Sequence, residues 1–442
     1  FTAVLIECYG LFFTRALLME FGLKLQSVLG LVIFVSIALL LSENRCKFNL
    51  KTVIILLLTQ AVFASAILKT PIAKFFFGSV NKAIITLQEA TEFGTSFVFG
   101  YLGGAPLPFE LVDESDAYIF AFRGLPLIIV FSSLTALLFY VGVLPFIISK
   151  IGKLIRNISN ISEASALGSA ANIFIGMVES PMLIKPYLAK MSRGDLFIIM
   201  TTGMCTVAGT VFAVYVVVLN NYVENVSGHI LISSVLSAFA GVLVATIMVP
   251  PESSQNSTPQ NEINAAEEDV NNYEGFMDAL TSGTNQGLII FLNVLASIVV
   301  MLALVYLLNG FLSFLPDIRG EEITLQYILG LFMAPLMWVT GMSWQDALTA
   351  GQIMGVKTVF NELLAFIEMG KLEDGDLSPR SRIVTFYAVN GFANLSSLGI
   401  MLSGLFILAP ERKTDILQLG FRSIIAGTLA TLITASVISI CL

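Results

Sequence analysis

The sequence predicts an all-α integral membrane protein with about eight transmembrane helices plus two opposed re-entrant hairpins. Three observations lead there. Of its 442 residues, 56% are hydrophobic and 12% charged, against about 25% charged in ordinary soluble domains, and mean hydropathy is +0.87. Eight apolar runs, at 25–41, 53–68, 125–148, 196–219, 230–249, 288–312, 383–408 and 423–441, approach or exceed the roughly 20 residues a spanning helix needs. Two more apolar stretches, 164–190 and 343–369, are interrupted by Gly or Pro and carry carboxylates near their centres, a pattern a straight spanning helix rarely has.

The elements follow in order. Residues 1–23 mix apolar side chains with Glu7, Arg15 and Glu20 and lack the basic start and small-residue cleavage site of a secretory signal, so they read as a retained, partly interfacial segment. Residues 72–99 intersperse Lys74, Lys82, Glu89 and Glu92 with Phe and Ile, which suits a helix lying in the interface or a partly buried scaffold helix. Basic residues mark the cytoplasmic loops: Arg45, Lys47 and Lys51; Lys150, Lys153 and Arg156; Lys185, Lys190 and Arg193; Arg412 and Lys413. Asp113, Glu114 and Asp116, then Glu224, then Asp317, Glu321 and Glu322 fall on the outer side.

Basic residues flank both ends of 164–190, ASALGSAANIFIGMVESPMLIKPYLAK, so it enters from the cytoplasm and returns. Its broken backbone must then be buried in protein or line a wet cavity, because lipid offers no hydrogen bonds. The second stretch, SWQDALTAGQIMGVKTVFNELLAFIEM, starts and ends outside. Each is followed by a span with a polar notch, GMCTVAGT at 203–210 and NGFANLSSLG at 390–399, and then by a plainer span. Parallel order with opposite orientation is the signature of inverted repeats in secondary transporters. The organisation expected is scaffold helices with an interfacial helix at 1–160, a first transport repeat at 161–250, a polar acidic linker at 251–285, a scaffold helix and connection at 286–342, and a second repeat at 343–442.

A net charge of −8 offers no basic face for nucleic acid. Cys8, Cys46, Cys205 and Cys441 are isolated, His229 is the single histidine, and no phosphate-binding loop, HExxH or Ser-His-acid set is present. The chemistry expected is transport across a lipid bilayer, not catalysis.

Intramembrane carboxylates are costly and mark sites. Glu179 could accept hydrogen bonds from a polar ligand, carry a proton, or satisfy helix ends inside its hairpin, and Glu362 has the same options. Neither has an obvious Lys or Arg partner at its own depth. Asn172, a hairpin-tip carbonyl, and Thr206 with its neighbour's carbonyl offer hard oxygen ligands that suit Na⁺ better than a transition metal, although Thr206 also fits a helix-packing role. Asn394, Ser396 and Ser397 set an amide and two hydroxyls within about one helical turn, suited to vicinal hydroxyls of a sugar.

At these residues the sequence resembles the concentrative nucleoside transporter family, of the bacterial Na⁺/nucleoside symporter type. GTSFVFG (94–100), FAFRGLP (120–126), SAANIFIGMVESPMLIKPYL (169–188), GMCTVAGTVFAVY (203–215), NELLAF (361–366) and GFANLSSLGI (391–400) carry the likeness. The resemblance implies a multi-pass homotrimer of the plasma (inner) membrane that imports nucleosides with Na⁺, or with H⁺ in some members. It implies that Asn172, the Ile175 carbonyl, Thr206 and the Val207 carbonyl form the cation site. It puts Glu362, Asn394 and Ser397 on the ribose, Phe392 and Val211 around the pocket, and Gly176, Met177, Val178 and Glu179 beside the nucleoside. Many members have GQTE where this chain has Gly176-Met177-Val178-Glu179, and the apolar pair cannot hydrogen-bond a base. Altered or relaxed base choice, favouring purines, is therefore expected. A non-transporting nucleoside sensor on the same fold is the alternative from another class.

Overall fold

Seven segments among the described residues are long and apolar enough to cross a bilayer, one of them, Arg193–Leu219, interrupted. The computed structural model describes residues 2–69, 71–109, 118–219, 222, 223, 225–251, 273–316 and 322–442, with side chains from residue 20 onward except 69–77. Most of the acidic linker lies outside the described residues, as do Asp113, Glu114, Asp116, Glu224, Asp317 and Glu321.

Helices α1 (Thr2–Leu40), α2 (Leu50–Lys69) and α3 (Pro71–Phe99) come first. Of these, α3 is not among the candidate spans. The apolar run 125–148, expected as one span, is two helices. The first, α4 (Leu127–Tyr140), stops at Val141, and Gly142 with φ 84° turns the chain into α5 (Val143–Ser159). That backbone conformation is left-handed and costs a Gly little. Hydropathy stayed high across the turn because α5 is amphipathic and keeps Leu144, Ile148, Gly152 and Ile155 on a buried face.

The first hairpin is α6 (Glu163–Ala171), a tip at 172–178 and a short return helix α7 (Glu179–Leu183). It leads to α8 (Arg193–Cys205) and α9 (Gly209–Leu219), one span interrupted at 206–208, and then to α10 (Val226–Met248). The long α11 (Phe276–Leu312) follows. The region 286–342 contains a helix the sequence reading left as connection, α12 (Leu325–Val339). It packs along α13 (Trp344–Val359), as α5 packs along α6. The second hairpin is α13 and α14 (Glu362–Gly370), with Phe360 and Asn361 alone at its tip. The run 383–408 is α15 (Pro379–Val389) and α16 (Leu395–Leu408), broken at 390–394, each half too short to span alone. The chain ends with α17 (Lys413–Cys441).

Burial identifies the centre. The apolar windows of α10 and α17 are 83% buried, whereas that of α11 is 6% buried. Helices α8, α10 and α17 thus form the core, and α11 turns a long apolar face outward.

The inverted arrangement is visible in hydrogen bonds. In the first half, Ser162 caps α6 and Ser192 caps α8, each oxygen satisfying a helix N–H that has no partner within the helix. Asp195 in the first turn of α8 ties the two ends together. Its Oδ1 accepts from Ser162 (2.8 Å) and Ser165 (2.7 Å), and its Oδ2 from Ser192 (2.6 Å). In the second half Ser343 caps α13 and Ser378 caps α15, and the carboxylate has changed helix: Asp346 of α13 accepts from Ser378 (2.8 Å). The two clasps lie at opposite ends of α17. Beside the first, Arg193 pairs with Asp415 at the start of α17 and with Glu43. Beside the second, Arg380 donates to Ser439 near its end. A helix of 29 residues separates them by roughly 40 Å, at 1.5 Å per residue.

Asp195 is buried and Asp346 half-exposed. Replacing Asp195 with Ala strands three hydroxyls, so it is expected to cost about 2–3 kcal/mol, while Asp346→Ala costs under about 1 kcal/mol. Thermal melting of the detergent-purified variants checks that order.

Candidate functional site

Three interruptions of helical backbone meet at one point. At the first tip, Phe174 offers its carbonyl to the N–H of Gly209 (3.0 Å), which starts α9. A Cβ on Gly209 would sit 2.5 Å from that oxygen, so only glycine permits the approach. On the return arm, Ser180 donates to the Gly168 carbonyl (2.7 Å) and holds α7 against α6. The break at 206–208 meets the break at 390–394 directly, because the Phe392 N–H donates to the Thr206 carbonyl (3.3 Å).

The second hairpin brings the carboxylate. Asn361 caps α14 by accepting from the Leu364 N–H (2.8 Å), which puts Glu362 at the first helical position. Glu362 is buried. Its Oε1 accepts from the Tyr215 hydroxyl (2.6 Å) and its Oε2 from Asn394 Nδ2 (2.8 Å). Asn394 in turn caps α16, its Oδ1 accepting from the Ser397 N–H (2.7 Å). The cap fixes which end of the amide faces Glu362, since one end must accept and the other donate.

A cavity of about 200 Å³ opens at this point. Of the predicted substrate residues it is lined by Gly176, Met177, Val178, Glu179, Val211, Glu362, Phe392 and Ser397. Asn394 is fully buried and reaches the cavity only through its bond to Glu362. The two hairpins and two broken helices, widely separated in sequence, therefore share one site.

The structure adds residues the sequence reading missed. Tyr215, Asn293 and Ser297 also line the cavity, and Gln286 of α11 donates to Glu179 (3.1 Å). The expectation that no basic residue lies at the depth of Glu362 is overturned. Lys357, three positions before the second tip, is fully buried and within Coulombic reach of that carboxylate. Its signal was present, a lysine inside the apolar stretch GQIMGVKTVF.

The predicted cation residues lie on the first tip, 172–178, and at the break 206–208. Asn172 donates from Nδ2 to Thr202 Oγ1 (3.1 Å) and to the Ile199 carbonyl (3.4 Å), while its Oδ1 is buried with no partner among the described residues. Thr206 donates its hydroxyl to the Thr202 carbonyl (2.8 Å), leaving the oxygen's acceptor capacity free. The Val207 N–H is held by Ser234 (3.4 Å), and Ile175 is half-buried in the tip. An orphaned buried carbonyl oxygen calls for an explanation, and a small hard cation fits it.

Comparison with known proteins places the chain. Residues 29–102 match the family description "Na+ dependent nucleoside transporter N-terminus", residues 121–222 "Nucleoside recognition", and residues 229–439 "Na+ dependent nucleoside transporter C-terminus". An uncharacterized transporter of Haemophilus influenzae is 33% identical, the match covering 93% of this chain and 96% of the relative. The putative nucleoside permease NupX of Escherichia coli is 31% identical over 93% and 97%. The chain belongs to the concentrative nucleoside transporter family. It is thus a multi-pass membrane protein of a transporter family. Among solved structures, CNTnw in an inward-facing substrate-bound state matches with TM-score 0.84 and 32% identity, over 95% of this chain and 98% of that one. An outward-facing CNTnw variant matches with TM-score 0.83, 32% identity, and 95% and 97% coverage.

The convergence of the breaks gives a prediction for this family member. Gly209→Ala is expected to cost about 1–3 kcal/mol by forcing the first tip away. Gly399, which has nothing within 4 Å of its would-be Cβ, should accept Ala without loss. Melting temperatures of the two variants measure the difference.

Proposed function

We propose that this protein is a cation-coupled symporter, with Na⁺ as the coupling ion, that imports nucleosides across the plasma membrane by alternating access. One observation carries the reading. A buried carboxylate, Glu362, oriented by Tyr215 and Asn394, faces a cavity with Ser397, and a second cluster with an unpartnered Asn172 Oδ1 lies across the first hairpin. On this reading Glu362 and Ser397 hold the ribose hydroxyls, and Asn394 behind them orients the carboxylate. Asn172, Thr206 and the carbonyls of Ile175 and Val207 hold Na⁺. The hairpins and broken helices move as one transport part against a scaffold that includes α11. The uncovered apolar face of α11 suits lipid and the contacts of a homotrimer.

The base lies against Met177, Val178, Val211 and Phe392. Leaving a buried base edge unpaired costs about 1–3 kcal/mol, roughly ten- to a hundredfold in affinity. That loss weighs on a pyrimidine recognised through its edge more than on a purine with a larger stacking face. Polar groups in the lining that could meet a base edge include Thr210 on α9, Asn293 and Ser297 on α11, and Ser396 on α16.

Uptake of radiolabelled adenosine and uridine into proteoliposomes tests the reading, with an inward Na⁺ gradient and with an equal K⁺ gradient. The expected result is adenosine accumulation above uridine, only with Na⁺. Accumulation driven instead by a proton gradient would replace Na⁺ by H⁺, and uridine preference would remove the apolar-wall argument. Asn172→Ala is expected to raise the Na⁺ concentration for half-maximal uptake at least tenfold while changing nucleoside affinity at saturating Na⁺ by less than about threefold; an equal loss of both would overturn that division of labour.

A further inference from the structure

Lys357 is a charged side chain with no exposure and no role in the site as described so far. It occupies the last turn of α13, Glu362 the first turn of α14, and only Phe360 and Asn361 lie at the tip between them. Its side chain is fully buried and its Nζ has no hydrogen-bond partner among the described residues. The hydrogen bonds of Glu362 go to Tyr215 and Asn394 instead. An ammonium buried at membrane depth is expensive unless an opposite charge compensates it, and breaking such a pair costs more than removing both members. The opposite charge within its Coulombic reach is Glu362.

We propose that Lys357 is a positioning residue for substrate recognition: its buried ammonium balances the Glu362 charge through space, without contact, and so leaves both carboxylate oxygens open to hydroxyl donors. The separation matters. A direct Lys–Glu ion pair would take up the acceptor capacity that two neighbouring sugar hydroxyls need, whereas a charge held one tip away leaves it available. Tyr215 takes one acceptor position of Oε1 and Asn394 one of Oε2, and the remaining capacity of both oxygens is left for substrate. This assignment rests on the reading of Glu362 as the acceptor of the ribose diol.

Two measurements on the full-length protein separate the charge coupling from the substrate reading. The first is a thermal-melting cycle without nucleoside, on wild type, Lys357→Met, Glu362→Gln and the double variant. Lys357→Met is expected to lower the melting temperature, and adding Glu362→Gln to recover part of the loss; strictly additive losses would overturn the pairing. The second is binding of adenosine and of 2′,3′-dideoxyadenosine at saturating Na⁺. Lys357→Met is expected to weaken adenosine at least tenfold and leave the dideoxy analogue within about twofold, with Lys357→Arg, which keeps the charge, lying closer to wild type. Equal loss for both ligands would mean a merely structural lysine and would overturn the proposal. Absence of nucleoside binding by the wild type would instead remove the substrate reading, while the melting cycle would still decide the pairing.

Discussion

A peptide group released from a helix at membrane depth has no water to turn to, and the architecture of this protein depends on how each released group is satisfied. Two hairpin tips and two helix breaks free backbone donors and acceptors in the apolar interior. Phe174 takes the N–H of Gly209 and Thr206 that of Phe392. Asn361 and Asn394 cap the helices that leave the second tip and second break. The two asparagine caps are local, but the Phe174 and Thr206 carbonyls serve a different element, so neither the first hairpin nor the two broken helices are complete alone. The same fact explains why a polar cavity can exist here: unpaired backbone is affordable only where several elements gather to pair it.

The two clasps at the ends of α17 extend this logic to the periphery. Both use serine caps with one carboxylate, but the carboxylate sits on the broken helix in the first half and on the hairpin in the second. The repeats therefore share a construction rather than a sequence. Each clasp fixes the start of a hairpin to the start of the broken helix beside it, so that the distant tip and break keep their register. The first clasp is buried and adjoins an ion-pair network of Arg193, Glu43, Asp415, Arg412 and Arg422. The second is more open.

What the sequence made legible follows from these constraints. Gly, Pro, Asn and Glu inside apolar runs can be read because lipid tolerates them only at built sites, which is why 164–190, 343–369 and the notches at Thr206 and Asn394 stood out. Helices α5 and α12 did not, since an amphipathic or apolar helix lying beside a hairpin has the same hydropathy as a span; only the turn at Gly142 separates α4 from α5. Tyr215 and Gln286 were illegible for another reason. A tyrosine one turn above a notch or a glutamine in a long apolar helix gains meaning only when packing across the chain brings it to Glu362 or Glu179.

The proposed cation and ribose groups belong to different repeats, and one residue joins them. Thr206 donates its hydroxyl to the carbonyl of Thr202, whose own hydroxyl bonds Asn172, and the Thr206 carbonyl holds the N–H of Phe392. Phe392 lines the cavity two positions before Asn394, whose amide orients Glu362. A cation drawing on the Thr206 hydroxyl would therefore stiffen the peptide that anchors the second break, and with it the carboxylate proposed to meet the sugar. Coupling needs no long relay in this arrangement, because the ion cluster and the pocket lean on the same short stretch of unwound backbone. The apolar pair Met177 and Val178 leaves that stretch untouched. On the proposed reading a change of base preference and retention of ion coupling are thus compatible in one chain: the apolar pair sits on the first tip, while the link runs through the backbone of Thr206 and Phe392.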